Sequence, residues 1–335
     1  MIKKLKDICQ IEKGQQIDTD LLDDSKPYKY INGGIRESGF YDEYNTKGTT
    51  ITVSEGGASC GYVNIIDEPF WCGCHCYKLT QIKVQPKYLY FNLKANQGKI
   101  MSLRTGSAMP NIRKSSFMEM QINVTNSNDE QRKIVTNLEK IEEVITKSEK
   151  ELLLLDEMIK SRFNEMFGGN KSLVKIGDVL STTSGGTPSK GKNEYYLNGD
   201  IPWLCSGEVN AGIITEVKNR ITELGLKNSS AKWIPENSVV VAMYGATAGK
   251  VGLLKIKTTT NQAVCSILPN SKFIPEFLYY AVGSKTEELV SKAWGGAQPN
   301  ISQGIIKNTL IPNPTIDEQK DFASFVTRVD KLKFN

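Results

Sequence analysis

The chain carries one unit twice, and only a fold with an internal repeat can hold it. Lys4-Leu5-Lys6-Asp7-Ile8 is met again as Lys175-Ile176-Gly177-Asp178-Val179. Gly106-Ser107-Ala108-Met109-Pro110-Asn111-Ile112 returns as Gly295-Gly296-Ala297-Gln298-Pro299-Asn300-Ile301. Asn128-Asp129-Glu130-Gln131 returns as Ile316-Asp317-Glu318-Gln319, in the same order and at a nearly constant separation. A chain of 335 residues is long enough for two cores of ordinary domain size and a connector. Two copies imply two similar sites, or one site read twice.

Each copy mixes strand and helix signals. An apolar segment breaks at glycine in both, residues 5–11 before Gly14 and 174–180 before Gly185-Gly186. Residues 49–53 and 238–243 are β-branched runs that predict strands. Pro86 and Pro275, at equivalent places in the repeat, head the apolar segments 86–91 and 275–280, and proline in a first turn predicts a helix there. The fold class expected is α+β, repeated.

Between the copies the pattern changes to a heptad. Ile134, Leu138, Ile141, Ile145, Ser148, Leu152, Leu155, Ile159, Arg162 and Met166 step by four and three, interrupted only at Ser148 and Arg162. Residues 129–167 would span about 58 Å as one helix. Asp129 is the expected cap, and Gly168-Gly169-Asn170 the stop. Phe322, Val326 and Val329 start the same seam in the second copy, in register with Ile134, Leu138 and Ile141, and the sequence ends at Asn335. The first seam thus has more apolar stripe than the second can cover, which predicts a partner for it, another copy or another protein. The expected domains are 1–127, a spacer helix over 128–169, 170–314, and the start of a second, shortened spacer helix over 315–335.

Composition narrows the chemistry. The formal charge of +5 is compatible with a polyanionic partner. Seven cysteines without an apolar leader, and no apolar run long enough to span a bilayer, predict a cytoplasmic protein with reduced thiols and no membrane contact. His75 is the single histidine, so no Ser/His/Asp or Cys/His set can be built elsewhere. Cys72, Cys74 and Cys76 alternate as residues of one strand would, which suits buried thiols better than a tetrahedral zinc cage. The segment 244–251 is one residue short of a phosphate loop and has Val251 in place of Ser or Thr, so a hairpin is expected there. Asp200-Ile201-Pro202-Trp203 is one residue from the box of amino-methylating DNA enzymes, but no Gly-rich strand–turn–helix for an adenosyl cofactor accompanies it. Glu216-Val217-Lys218 lacks an acidic partner for a nuclease site.

The second copy carries Gly185-Gly186-Thr187-Pro188, Asp200-Ile201-Pro202-Trp203, Gly245-Ala246-Thr247-Ala248-Gly249-Lys250, Asn261-Gln262, Gln298-Pro299-Asn300-Ile301, Ile311-Pro312 and Asp317-Glu318-Gln319. In this order, and with the duplication, the chain resembles the specificity subunit of type I restriction–modification systems. The resemblance implies two tandem, pseudo-symmetric target recognition domains joined by a long coiled-coil-type helix, each reading one half of a split double-stranded DNA target. It implies docking to methyltransferase (modification) and restriction subunits, with S-adenosylmethionine held by the modification subunit. The chain itself would have no cofactor, no metal and no catalytic residue. A member would also continue the second helix, so this one would be shortened.

Under that reading, positions shared by the copies are framework: Gly106, Pro110, Asn111, Gly295, Pro299 and Asn300, with the asparagines also placed to meet a phosphate. Polar segments that fail to align are the readers: 29–36 in the first copy, 190–193 and 206–210 in the second. The candidate DNA-binding residues are Lys29, Asn32, Arg36, Arg104, Arg113, Lys190, Lys192, Ser206, Lys250, Lys292 and Asn300. The candidate partner or coiled-coil residues are Ile134, Leu138, Ile141, Ile145, Leu152, Leu155, Ile159 and Met166. Two other classes compete. A stand-alone DNA methyltransferase would bind S-adenosylmethionine unaided, and a coiled-coil dimeric regulator would bind DNA without this bipartite preference.

Overall fold

The computed structural model describes residues 1–106, 109–169, 172–293 and 300–333. Positions 107–108, 170–171, 294–299 and 334–335 lie outside them, and with these the framework positions Gly295 and Pro299 that the sequence singles out. The chain divides into two compact units, Met1–Ser148 and Glu149–Asn335.

The first unit begins with β1 (Ile2–Lys4), β2 (Gln10–Lys13), β3 (Tyr28–Ile31) and β4 (Phe40–Tyr41). Then come β5 (Thr50–Ser54), β6 (Val63–Ile66), β7 (Phe70–Cys72) and β8 (Cys76–Thr80). Helices α1 (Pro86–Ala95), α2 (Gln97–Ser102) and α3 (Lys114–Met118) lead to β9 (Gln121–Asn123) and the long α4 (Asn128–Phe167). The strands form an antiparallel sheet β2-β8-β5-β6, a small sheet β4-β3-β7 and the pair β1-β9. Ile51 and Val53 of β5 are fully buried beneath Leu89 and Leu93 of α1, each contributing about 1.5–3 kcal/mol by leaving water.

The second unit repeats this order. It runs β10 (Leu173–Lys175), α5 (Ile176–Val179), β11 (Thr182–Ser184), β12 (Ile201–Leu204), β13 (Ile213–Ile214), β14 (Arg220–Ile221), α6 (Glu223–Lys227) and β15 (Trp233–Ile234). It closes with β16 (Val239–Ala242), β17 (Val251–Leu254), β18 (Thr258–Thr260), β19 (Val264–Ile267), α7 (Pro275–Gly283), α8 (Thr286–Ser291), α9 (Gln303–Asn308), β20 (Leu310–Pro312) and α10 (Ile316–Leu332). Its sheets are β11-β19-β16-β17 with β13 added at the edge, β14-β12-β18 with β15 added, and the pair β10-β20. Strand for strand, the order is that of the first unit with β13 and β15 added. The α+β class and the duplication are both present, and prolines 86 and 275 head α1 and α7.

Both units enter their last helix by the same device. Ser127 Oγ accepts from Glu130 N, and Thr315 Oγ1 accepts from Glu318 N, each at 3.3 Å. The cap expected at Asp129 is therefore Ser127, because the helix already begins at Asn128. The glutamine of each Asp-Glu-Gln is buried. Gln131 Oε1 accepts from Gln85 N at 2.9 Å while its Nε2 donates to the Thr125 carbonyl at 2.8 Å. Gln319 Oε1 accepts from Ile274 N at 2.8 Å while its Nε2 donates to the Lys272 and Pro314 carbonyls at 3.0 and 3.2 Å. Gln85 and Ile274 are the residues before the two helix-heading prolines. The repeated glutamine thus pins the start of one helix to the start of another.

Helix α4 follows the heptad seam only in part. Near its start Ile134 packs on the first unit's core and Leu138 is half-buried. Ile141, Ile145 and Leu152 are 54, 51 and 41 % exposed. Leu155, Ile159 and Met166 then pack on the second unit's core. There the buried face continues through Phe163 and Phe167, in steps of four, instead of through Arg162. These two rings meet Phe277 and Phe322 at centroid distances of 5.0–5.9 Å, and Phe322, Val326 and Val329 of α10 are buried against the same cluster.

Candidate nucleic-acid interface

Three loops meet at corresponding places in both units, and the repeat preserves the main-chain bonds between the second and the third. The first follows β3, or β12. The second is the tip of the β5–β6 hairpin, or of β16–β17. The third is residues 109–113 before α3, or 300–302 before α9.

In the first unit, the segment 29–36 divides. Lys29 lies inside β3 and is ion-paired with Glu68, so the irregular loop starts only at Asn32. Asn32 Oδ1 accepts from His75 N at 3.0 Å. Gly33 has φ +87°, and a Cβ there would stand 2.4 Å from the His75 carbonyl, so only glycine passes this point. The Gly33 carbonyl accepts from Ser59 Oγ at 2.6 Å and from Ser54 Oγ, tying the loop to the hairpin tip. That tip turns on Gly57 and Gly61, both with positive φ. It is bound in turn by Arg104 Nε, which donates to the Cys60 carbonyl at 2.7 Å. Gly57 N donates to the Pro110 carbonyl, and Ile112 N to the Glu55 carbonyl, at 3.0 and 2.9 Å. Asn111 bridges both Gly56 and Thr105. Arg36 and Arg113 are exposed, Arg113 as the residue capping α3.

The second unit repeats the arrangement with other side chains. Residues 206–211 after β12 form a 3-10 turn rather than an irregular loop, and the Ser206 carbonyl accepts from Thr247 Oγ1 at 3.1 Å. Gly245 and Gly249 carry positive φ at the positions that correspond to Gly57 and Gly61. The segment 244–251 is accordingly a hairpin tip, as its spacing predicts, with β16 and β17 antiparallel on either side. Tyr244 bridges Asn300, and Ile301 N donates to the Met243 carbonyl at 2.8 Å, matching Asn111 and Ile112. Tyr244 and Lys250 are exposed at the tip. Lys190 and Lys192 are exposed on the preceding turn, where a hydrogen bond to the Tyr195 hydroxyl at 3.1 Å raises the Lys192 pKa. Lys292 is ion-paired with Glu288 at 2.6 Å.

The structure therefore gathers Asn32, Arg104 and Asn111 in one unit and Ser206, Lys250 and Asn300 in the other, while Lys29 and Lys292 are engaged with carboxylates. Sequence reasoning missed Glu208. Its carboxylate accepts from Cys205 N at 3.4 Å, Lys218 N at 2.8 Å and Asn219 Nδ2 at 3.0 Å, locking the 206–211 turn to a later segment of the chain. The Cys205 bond is a local capping box, but no local spacing signals the bonds to Lys218 and Asn219.

The thiols are not arranged for chemistry. Cys72 ends β7, Cys76 starts β8 and Cys74 lies in the turn between, so the three do not alternate on one strand. The close approach of Gly73 to Asn32 requires that turn. Hydrogen bonding to Cys76 and burial raise the Cys72 thiol far above its usual range. Burial pushes Cys9 and Cys265 up to about 12 and Cys205 to about 11, so each stays protonated and unreactive near neutrality. Among the described residues, no group of three or more histidine, cysteine or acidic side chains is placed to hold a metal ion, and no helix is long and apolar enough to cross a membrane.

The structure is a duplicated α+β unit with matching loops in equivalent places and a long helix after the first copy. The chain belongs to the type I restriction modification DNA specificity domain family, whose pattern it matches over residues 1–155 and again over 169–335. It is 31 % identical over 228 residues to a type I specificity subunit of Mycoplasma genitalium, covering 62 % of this chain and 58 % of that one. It is 25 % identical over 332 residues to one from Mycoplasma pneumoniae, covering 92 and 83 %. A type I restriction enzyme specificity subunit of Escherichia coli is 29 % identical over 162 residues, of which the match spans 40 %. The matches thus cover 58 and 40 % of the M. genitalium and E. coli relatives' own lengths. The crystal structure of the type I restriction–modification S subunit from M. genitalium superposes with a TM-score of 0.63 at 20 % identity, covering 99 % of this chain and 90 % of that one, so the fold is shared.

Proposed function

We propose that the chain is the sequence-reading subunit of a type I restriction–modification complex, each unit recognising one half of a bipartite double-stranded DNA target. The observation that carries this is the preserved loop triad. Paired left-handed glycines, a bridging asparagine and the strand-end loop hold the same places in both units, while the side chains they display differ. A shared scaffold with different displayed groups is what two different half-sites require. Phosphate contacts come from the exposed Arg36, Arg113, Lys190, Lys192 and Lys250, and the displayed loops read base edges. Helix α4, about 60 Å long at 1.5 Å per residue, is stiff enough to set the gap between half-sites.

The chain carries no reaction of its own. The modification subunit holds S-adenosylmethionine, methylation and cleavage belong to its partners, and the complex works in the cytoplasm. Co-expression with a candidate modification subunit, followed by genome-wide mapping of methylated adenines, tests this. A split motif is expected, and methylation without a motif contradicts it. S-adenosylmethionine binding by the isolated chain would favour a stand-alone methyltransferase instead.

The apolar residues Ile141, Ile145 and Leu152, more than 40 % exposed, dock a second copy or a modification subunit. Sedimentation at micromolar concentration should show self-association that the double change Ile141→Lys with Ile145→Lys abolishes. A strict monomer in both cases rules out the second copy.

A further inference from the structure

One sheet face is covered in the second unit and open in the first. In the second unit, Ile201, Trp203 and Ile221 of β12 and β14 share a face, since Ile201 pairs with Ile221 and side chains alternate along a strand. All three are buried, covered by the inserted segment of α6 and β15 through Leu226 and Ala231. The same register positions in the first unit are Tyr28, Tyr30 and Tyr41, with Trp71 opposite Tyr30. Here the chain passes from β4 to β5 without the insert. Only Tyr30 is buried, whereas Tyr28, Tyr41 and Trp71 are partly exposed and Tyr44 is 46 % exposed. The rings pack on one another, Tyr28 with Tyr44 at 5.0 Å and Tyr41 edge-on to Trp71 at 5.1 Å.

The surroundings choose the occupant. Leaving out the loop 32–39, residues 15–31 and 40–45 carry six carboxylates against two lysines, although the whole protein is +5. Asp20, Asp24 and Glu43 are exposed and have no ion-pair partner among the described residues. Such a field repels a phosphate backbone. The face accommodates a cation within the chain: the Lys26 ammonium sits 5.6 Å from the Tyr41 ring centre and 2.9 Å from Asp42 Oδ2. Sheet-edge pairing is closed off, since the Asn45 side chain accepts from Cys72 N at 2.7 Å and donates to its carbonyl at 3.0 Å.

We infer that the aromatic face of β4-β3-β7 in the first unit is a protein-docking surface for an arginine- and lysine-rich segment of a partner, bound by stacking on Tyr41, Tyr44 and Trp71 and by the flanking carboxylates. Its strand β3 leads into the Asn32 loop, so a DNA-binding control must distinguish this surface from the loops. Cation–π contacts of this kind and a complementary field give weak, salt-sensitive binding.

The test uses the full chain and a synthetic octa-arginine peptide followed by calorimetry. Binding is expected at low salt. Tyr44→Ala, at an exposed site where the fold does not depend on the ring, should weaken it about two- to fivefold, the range for one such contact. Asp24→Asn with Glu43→Gln should weaken it further and flatten its salt dependence. Duplex DNA binding should be unchanged in all of these variants. Absence of peptide binding, equal binding by wild type and Tyr44→Ala, or a parallel loss of DNA binding would each overturn the inference.

Discussion

The two units solve one folding problem with different interiors, and the contrast separates scaffold from display. In the second unit β16 is apolar on both faces. Val239 and Val241 pack toward α7, while Val240 and Ala242 pack toward β12 and its neighbours. In the first unit the equivalent β5 keeps Ile51 and Val53 toward α1 but turns Thr52 and Ser54 the other way. The Ser54 hydroxyl there donates to the Gly33 carbonyl. Glu55 follows, buried and held by Lys13 at 2.7 Å and by the Tyr77 hydroxyl at 3.1 Å, where the second unit has Met243 and Cys265. Beneath the loop after β3 one copy places polar contacts, whereas beneath the loop after β12 the other has apolar packing, with the Thr247 bond and the Glu208 clamp above it. What both retain is narrower: the hairpin-tip glycines, the bridging asparagine and the glutamine clasp.

The largest expected effect tests the apolar side of the contrast. Phe322→Ala removes a fully buried ring from its aromatic cluster and should cost the second unit about 3–5 kcal/mol. Ile134→Ala, its half-buried counterpart, should cost the first unit about 2 kcal/mol or less. Separate denaturant transitions for the two units would show this, and equal losses would break the comparison. Next come the clasps. Gln131→Ala and Gln319→Ala each leave a partly buried backbone amide without its acceptor and should cost about 1 kcal/mol, by similar amounts in the two units. Unequal losses would mean that the repeat preserves the residue but not its role.

How much of this the sequence discloses depends on the range of the interaction. Duplication, the proline-headed helices and the hairpin tips rest on local spacing and are legible. The helix itself is legible in α4, but the heptad reading misses Phe163 and Phe167. A straight helix has about 3.6 residues per turn, so a strict seam of about 3.5 drifts off any face that must lie flat on a domain core. Ser127 is overlooked as the cap because Asp129, just beyond it, is an equally good capping type. The thiol run looks like one strand because the turn at Gly73 is imposed from outside, by the distant Asn32. The Glu208 clamp and the Lys29–Glu68 pair are likewise long-range facts.

Smaller effects sharpen the loop comparison. Gly249→Ala forces a left-handed residue and brings a Cβ to 2.7 Å from Val290 Cγ2, whereas Gly245→Ala meets open space. The first should cost about 2 kcal/mol and the second about 1 kcal/mol. Both should weaken DNA binding in gel-shift titrations more than Lys292→Ala, whose side chain is engaged with Glu288.

The smallest effect is one of pH and belongs to the first unit. Lys4 and Lys6 hold the Glu119 carboxyl down to about 2, below its ordinary 4.5. Because the folded value is depressed, its contribution is complete above about pH 4.5 and is lost as the pH falls through about 2. Glu119→Gln should therefore flatten acid unfolding of the first unit slightly in that window. The pair is exposed, so a large change would contradict its placement.

The glutamine clasp has a consequence for exchanging parts. The joint between each α+β body and its last helix rests on one side chain and a few main-chain groups, which any sequence supplies. Transplanting one body onto the other's helix should therefore leave that joint intact, and thermal melting of such a chimera would check it.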